Sequence, residues 1–297
     1  MIDKNRPVVV GVDGSESAQG AFAHGAWEAH RRGGVLRLVY VSHVPPRYVT
    51  GVDLSATARA AGAELLAEYA QRAETAYPGL RVESQVLSGS PGAVLVQASR
   101  DAALVVVGSR GLGGFAGLLL GSVGTQLAAH SAAPVIVMRP PNDRGTLGAA
   151  PASAPVVVGV DGIPESTAAL GFAFEEAAAR GVGLIATYAW WLLPPSELKP
   201  EAPRAYDLGE AEEAARRMLA EAVAGWRQQY PDVDVDLRPD RALNPVVGLL
   251  ELSRTAGLLV VSRHGGNTFS RLLFASISDI AVREAHCPVA VVPSQAS

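Results

Sequence analysis

Two residue types are scarce in this sequence: one cysteine and two lysines occur among its 297 residues. The lone Cys287 cannot form an intramolecular disulfide, which fits a reducing compartment and the role of a small buried apolar residue. Lys4 and Lys199 are the only lysines, and neither lies in a Gly-Lys-Ser/Thr sequence. The sequence therefore gives no support for a phosphate loop that depends on lysine.

Long apolar runs, a secretory signal and clusters of one charge are also lacking. No run approaches the ~18–20 apolar residues that span a bilayer, and the segment MIDKNRPVVV has no signal-peptide pattern, so we expect no membrane span and a cytoplasmic location. A net charge of −4 without Lys/Arg runs disfavours nucleic-acid binding. The six histidines show no metal-ligand spacing, so we predict neither a metal site nor catalytic residues of the triad type.

What the sequence does contain is an internal duplication. The octapeptide Pro-Val-Val-Val-Gly-Val-Asp-Gly occupies residues 7–14 and recurs unchanged at residues 155–162, an offset of 148 residues (7 to 155). A later Pro-Val landmark recurs with an offset of 154 residues (134 to 288). We therefore predict two domains, at residues 1–140 and 155–297, joined by a linker at residues 141–154 that is rich in Pro, Gly and Ala.

The pattern of apolar residues predicts an α/β fold in each half. Continuous apolar runs, rather than alternating ones, are typical of strands buried on both faces of a parallel sheet. Amphipathic segments at residues 55–77 and 208–230 predict crossover helices. We expect two tandem doubly wound domains with five-stranded parallel sheets, whose ligand sites lie beyond the carboxyl ends of the strands. In the first half the predicted strands are residues 7–12, 35–41, 81–87, 103–107 and 134–138.

A glycine-rich loop follows the fourth predicted strand. Gly108 and Gly111 are followed, after nine residues, by Gly121-Ser122 and a predicted helix that starts near Val123. Glycines that adopt positive φ let backbone amides approach phosphate oxygens, and a helix N-terminus offers further N–H groups. Ser122 would add a donor or a cap, and Arg110 a charge-assisted contact.

This loop, together with the opening Val-Gly-Val-Asp-Gly-Ser sequence, resembles the ATP-binding class of the universal stress protein family. The resemblance spans almost the whole chain, once in each half. It implies a Rossmann-like fold of the adenine nucleotide alpha hydrolase-like type, with ATP as the cofactor. It also implies that Gly11 and Asp13 lie at the nucleotide, the acid near base and ribose, and that backbone near Val41 meets the adenine edge.

Structural roles remain open for the same residues. The glycines could merely turn the chain, and Asp13 fits a turn or helix-capping role as well as a ligand contact. A carboxylate near a triphosphate is also a candidate for holding Mg²⁺, which bridges phosphates with few protein ligands.

The second half keeps part of the motif. Asp161, Gly265 and Ser276 match Asp13, Gly111 and Ser122. Ser262 and Ala275 replace two glycines, however, and each adds a Cβ in the loop. Arg263 brings a new donor. The predicted second site is therefore weakened, or retuned to a different anion.

Three functions follow as alternatives. The resemblance implies a nucleotide-dependent regulatory protein of the stress response, which binds ATP. An ATP-using enzyme with slow hydrolysis or adenylyl transfer is the second, although no assembled base or nucleophile is visible. The third is a nucleotide-free interaction module. The resemblance further suggests an intramolecular pseudo-dimer through the last strands, near residues 135–138 and 289–292, and a homodimer of whole chains; a regulatory protein partner is not identified.

Overall fold

The fold divides into two compact units. Unit 1 comprises residues 1–148 and 288–293, and unit 2 comprises residues 149–287 and 294–297. The computed structural model describes residues 6–43, 54–111, 121–139, 153–160, 167–189, 208–241, 245–263 and 271–294. Most of the predicted linker at residues 141–154 lies outside these ranges.

The first half alternates strands and helices in the predicted order. Its last strand, Val135–Met138, lies within the predicted range of residues 134–138. The elements are β1 (Val8–Gly11), α1 (Glu16–Arg31), β2 (Val35–Ser42), α2 (Leu54–Ala76), β3 (Arg81–Ser88), α3 (Pro91–Ala98), β4 (Leu104–Gly108), α4 (Ser122–His130) and β5 (Val135–Met138), with a 3₁₀ turn at Ser99–Asp101.

The second half repeats this order. The elements are β6 (Val156–Gly159), α5 (Thr167–Arg180), β7 (Leu184–Ala189), α6 (Leu208–Gln229), β8 (Val235–Asp240), α7 (Pro245–Leu252), β9 (Leu258–Arg263), α8 (Arg271–Glu284) and β10 (Val289–Pro293).

Parallel pairing within each unit confirms the predicted α/β class. In unit 1 the strand order begins β3-β2-β1-β4-β5, and in unit 2 it is β9-β6-β7-β8. Val8 is aligned with Leu36 on one side and with Leu104 on the other, and Val156 is aligned in the same way with Leu184 and Leu258. All six residues are at most 1% exposed, as continuous apolar runs predicted.

The last strand of the chain belongs to unit 1. β10 pairs antiparallel with β5, with Val289 opposite Val137 and Val291 opposite Val135. The predicted association of residues 135–138 with residues 289–292 is confirmed. The parallel strands of unit 1 thus gain an antiparallel neighbour, which covers the edge that β5 would otherwise expose.

Close packing explains why a glycine ends the first strand of each half. A Cβ on Gly11 would lie 2.9 Å from Leu95 Cδ1 of α3, and a Cβ on Gly159 would lie 3.3 Å from Leu249 Cδ2 of α7. Both contacts are tighter than an ordinary van der Waals separation. The duplication therefore preserves this strand–helix contact.

A buried ion pair is repeated as well. Glu28 and Glu176, which share the offset of 148 residues, are both fully buried. Arg32 Nε donates to Glu28 Oε2 at 2.8 Å, and Arg180 Nη2 donates to Glu176 Oε2 at 2.9 Å. A buried carboxylate needs such a partner, because removal of the cation would leave an uncompensated charge.

Among the helices in the described residues, none is long and apolar enough to cross a membrane.

Two glycines of α1 give a matched test of its packing. A Cβ on Gly25 would overlap the Val10 side chain, whereas a Cβ on Gly20 meets nothing within 4 Å. We expect Gly25→Ala to lower the free energy of unfolding by about 1–3 kcal/mol through overpacking. Gly20→Ala should raise it by about 0.5–1 kcal/mol, since alanine is the better helix former. Urea denaturation measures both, and equal effects of the two substitutions would contradict the packing of α1 on β1.

Candidate functional site

The site lies where β1 and β4 end. These strands are parallel neighbours, with Val10 aligned with Val106, so the loops that follow Gly11 and Gly108 leave the same edge of the sheet. β2 pairs on the other side of β1, and Val12 N donates to Val39 O at 3.0 Å. Val41, the predicted adenine-edge residue, lies two residues further along β2 at this edge.

Asp13 shapes the turn between β1 and α1. Its Oδ1 accepts a hydrogen bond from Ser15 N at 3.0 Å, and Gly14 adopts φ +85°, which a side chain would disfavour. Ser15 then serves as the N-cap of α1, since its side chain accepts from Ala18 N. Asp13 thus has the predicted turn role, in which its Oδ1 accepts from Ser15 N.

The other oxygen of Asp13 faces the glycine loop. A Cβ on Gly111 would lie 2.6 Å from Asp13 Oδ2, which is closer than real Cβ contacts allow. The structure therefore brings together Asp13 and Gly111, which lie almost 100 residues apart in the sequence. A side chain at position 111 would therefore displace this carboxylate.

Gly108 is required by packing against α1. A Cβ there would lie 2.7 Å from the Ser17 carbonyl carbon and 2.8 Å from Ser17 Cβ. Gly108 is the last residue of β4. The expectation of positive φ at Gly108 and Gly111 is wrong, since neither residue adopts it. The close approach that excludes a side chain comes from α1 at Gly108 and from Asp13 at Gly111.

Gly121 connects the loop to α4. Its N–H donates to Ser109 O at 2.7 Å, and Gly121 is the N-cap of α4 without a side-chain capping bond. Ser122 is an exposed first residue of the helix, so its predicted role as a cap is wrong. Thr125 N is the first amide bonded back to Gly121 O, at 3.3 Å, so the amides of Ser122 and Val123 precede the helical ladder.

Arg110 lies between the two glycines, and its side chain is exposed. Its backbone, by contrast, is held by α1. Ser17 Oγ donates to Arg110 O and accepts from Arg110 N at 3.4 Å, and Ser15 Oγ donates to the same carbonyl at 3.3 Å. The predicted contact residue is thus presented to solvent from a fixed backbone.

Helix α2 backs the Asp13 turn. Leu65 Cδ2 lies 3.7 Å from the position of a Cβ on Gly14, and Tyr69 is 2% exposed. Burial raises the pKa of the Tyr69 phenol, and the charges of Glu68 and Asp13 add to the rise while Arg72 opposes it. Tyr69 therefore stays a neutral hydroxyl at physiological pH.

The second half differs at the corresponding helix. Asp161 and Gly265 lie outside the described residues. Ser276 is in α8, which begins at Arg271, so this residue lies inside the helix and not at its start. Arg263 ends β9 at the position of Ser109, and burial lowers the pKa of its guanidinium.

Sequence reasoning missed Gly14, Ser15 and Ser17 as parts of the site. Gly14 and Ser15 follow Asp13 directly, and their order was a signal for a turn and a helix cap. The role of Ser17 has no such local signal, because its partner is the backbone of residue 110.

These features define the class of the protein: a tandem pair of doubly wound α/β domains with a glycine-rich loop at the carboxyl edge of the first sheet. The chain belongs to the universal stress protein family, whose sequence model matches residues 4–139 and 154–293. It is therefore the tandem form, with the family domain present twice.

The chain is similar to other universal stress proteins over most of its length. The chain is 36% identical over an alignment of 309 residues to universal stress protein Rv1996 of Mycobacterium tuberculosis, covering 97% of this chain and 95% of that protein. It is 38% identical over 214 residues to a universal stress protein of Mycolicibacterium smegmatis, covering 72% and 69%. The crystal structure of a universal stress protein from Archaeoglobus fulgidus has the same fold, with a TM-score of 0.68 at 19% identity, covering 99% and 98%.

The contact between Asp13 and Gly111 predicts an energetic coupling. We expect Gly111→Ala to lower the free energy of unfolding by about 1 kcal/mol, because the new methyl group displaces the Asp13 carboxylate. In the Asp13→Ala background the same substitution should cost at least about 0.5 kcal/mol less. A double-mutant cycle by urea denaturation measures this difference.

The matched control is Gly20→Ala in the same two backgrounds, since Gly20 has open space around its Cα. Its effect should be independent of residue 13. Additive effects of Gly111→Ala and Asp13→Ala would contradict the close approach of the loop to the carboxylate.

Proposed function

We propose that the first unit binds ATP at the edge formed by the β1 and β4 loops and the start of α4. The observation that carries this proposal is the convergence of Asp13 with Gly111, together with the bond from Gly121 N to Ser109 O. One carboxylate, one glycine loop and one helix N-terminus thereby share a site, although they come from distant parts of the chain.

Each part suits a different portion of the nucleotide. The amides at the start of α4 and the partial positive charge of that helix terminus favour the anionic phosphates. The exposed Arg110 side chain adds a cation that reaches solvent beside the loop. Asp13 and the end of β2 near Val41 lie at the same edge, where the ribose and the adenine bind in this proposal.

Mg²⁺ would accompany the triphosphate, with Asp13 Oδ2, which faces Gly111, as the carboxylate oxygen beside the loop. Many members of the family bind ATP, which supports the same assignment.

The second unit differs from the first at the position that corresponds to the start of α4. Ala275 occupies the position of the N-cap Gly121, and α8 continues through it from Arg271. The helix terminus therefore does not lie at the position of Ser276. We propose one ATP per chain.

A regulatory role suits this site better than catalysis. In the described residues around Asp13 the carboxylate is committed to a turn and faces a glycine, and Tyr69 is a buried neutral phenol. Neither arrangement activates a nucleophile. We therefore propose that ATP occupancy sets the conformation or the partner binding of the protein in the stress response.

Calorimetric titration with ATP and Mg²⁺ tests the site directly. We expect one ATP per chain, and we expect Gly121→Ala to weaken binding about tenfold, because alanine favours extension of α4 through the loop. Gly20→Ala is the matched control and should bind ATP like the unaltered chain. Gly265→Val should leave the count at one.

Other outcomes separate the alternatives. No titratable ATP, with little nucleotide released from the denatured protein, would favour a nucleotide-free interaction module. ADP or an adenylylated product that accumulates with time, as detected by chromatography, would favour the enzyme. Two ATP per chain, reduced to one by Gly265→Val, would contradict the inactive second site.

A further inference from the structure

We infer that Ser17 is a positioning residue of the ATP site: its hydroxyl fixes the backbone of the glycine loop so that the loop can accept phosphate. This inference rests on the proposed function and extends it to a residue outside the glycine motif. Ser17 lies in the first turn of α1 and is 4% exposed.

The Ser17 hydroxyl engages both backbone groups of one loop residue. It donates to the carbonyl of Arg110 and accepts from the Arg110 amide at 3.4 Å. The hydroxyl of Ser15 donates to the same carbonyl at 3.3 Å and lies 3.3 Å from Ser17 Oγ. Two hydroxyls at the start of α1 therefore hold the peptide groups on either side of Arg110, the residue that precedes Gly111. We call this arrangement the serine clamp.

The clamp also requires Gly108. Ser17 fills the space that a side chain at residue 108 would need, since its Cβ lies 2.8 Å from that position. The pairing of a glycine with this serine brings α1 close enough for the hydroxyl to reach Arg110. Without the clamp the loop would keep its glycines but lose the contacts that restrict their many conformations.

A comparison of the two halves distinguishes the serine clamp from a serine contact that both halves form. A second buried hydroxyl, that of Ser99, donates to Val96 O at 2.6 Å and accepts from Ala132 N at 2.8 Å. The second half retains this bridge at the offset of 154 residues: Ser253 Oγ donates to Leu250 O at 2.6 Å and accepts from His286 N at 2.9 Å.

The serine clamp is not retained. At the offset of 148 residues, Ile163 stands in place of Ser15 and Glu165 in place of Ser17, while Ser262 replaces Gly108. The second half therefore forms the same strands and helices from a sequence that lacks every member of the clamp. The clamp is dispensable for the fold, and its loss accompanies the loss of two of the three loop glycines.

The test compares ATP with adenosine on the full-length chain. Ser17→Ala should weaken ATP binding about fivefold to tenfold, because one or two hydrogen bonds that position the loop are removed. Adenosine binding should change less than about twofold, since its contacts lie at Asp13 and the end of β2. Ser17→Cys, which keeps a side chain of similar shape but donates weakly, should act in the same direction.

Ser99→Ala is the matched control, because it removes an equally buried hydroxyl that bridges two backbone groups away from the loop. It should lower the stability and leave the ratio of ATP to adenosine affinity unchanged. Equal losses for ATP and adenosine in Ser17→Ala, or no loss for ATP, would overturn the role of Ser17. So would failure of both Ser17 variants to fold while Ser99→Ala folds.

The unaltered chain keeps the two proposals distinguishable. If it does not bind ATP, the proposed function fails and the positioning role fails with it. If it binds ATP and Ser17→Ala binds equally well, only the positioning role fails.

Discussion

Gly108 has no side chain, and the first turn of α1 occupies the space that a side chain would need. Because α1 can approach this closely, the Ser17 hydroxyl reaches the backbone of Arg110 and the Asp13 carboxylate reaches Gly111. The loop after β4 is thereby attached to the loop after β1. The geometry of the whole site follows from this one contact between a strand end and a helix start.

The two halves show that the fold and the site have separate requirements. Both halves keep the glycine–leucine contact at the end of the first strand, the buried Glu–Arg pair and the serine bridge near the last helix. These contacts lie within the layers of strands and helices, where close packing tolerates few changes. The loop residues differ between the halves, although the order of elements does not. A loop at the sheet edge can change its chemistry while the packed layers stay the same.

The sequence predicted the fold well because its signals are local. Continuous apolar runs marked most strands of the first half, and the repeated octapeptide predicted the same architecture for the second. The exception is β3, in which polar residues are interspersed with apolar ones and several are exposed. It also predicted that Asp13 and the glycine loop share one edge, since parallel strands place their carboxyl ends together. It failed on the conformation of Gly108 and on the role of Ser17. Both depend on contacts between residues more than 90 positions apart. In addition, the sequence does not distinguish a glycine that close packing requires from one that a positive φ requires.

A single replacement explains why the retained Ser276 does not lie at the start of a helix. Glycine disfavours the helix interior whereas alanine favours it, so α4 begins directly after Gly121, while α8 runs through Ala275 and begins at Arg271. The start of the helix is five residues earlier (271 against 276), which at 1.5 Å per residue is a displacement of about 7 Å. The field of a helix terminus weakens within one turn. An anion placed beside residue 276 would therefore lack both the free amides and the partial positive charge of the helix N-terminus. Ser276 is therefore retained in the sequence but lies inside α8, whereas Ser122 is the first residue of α4.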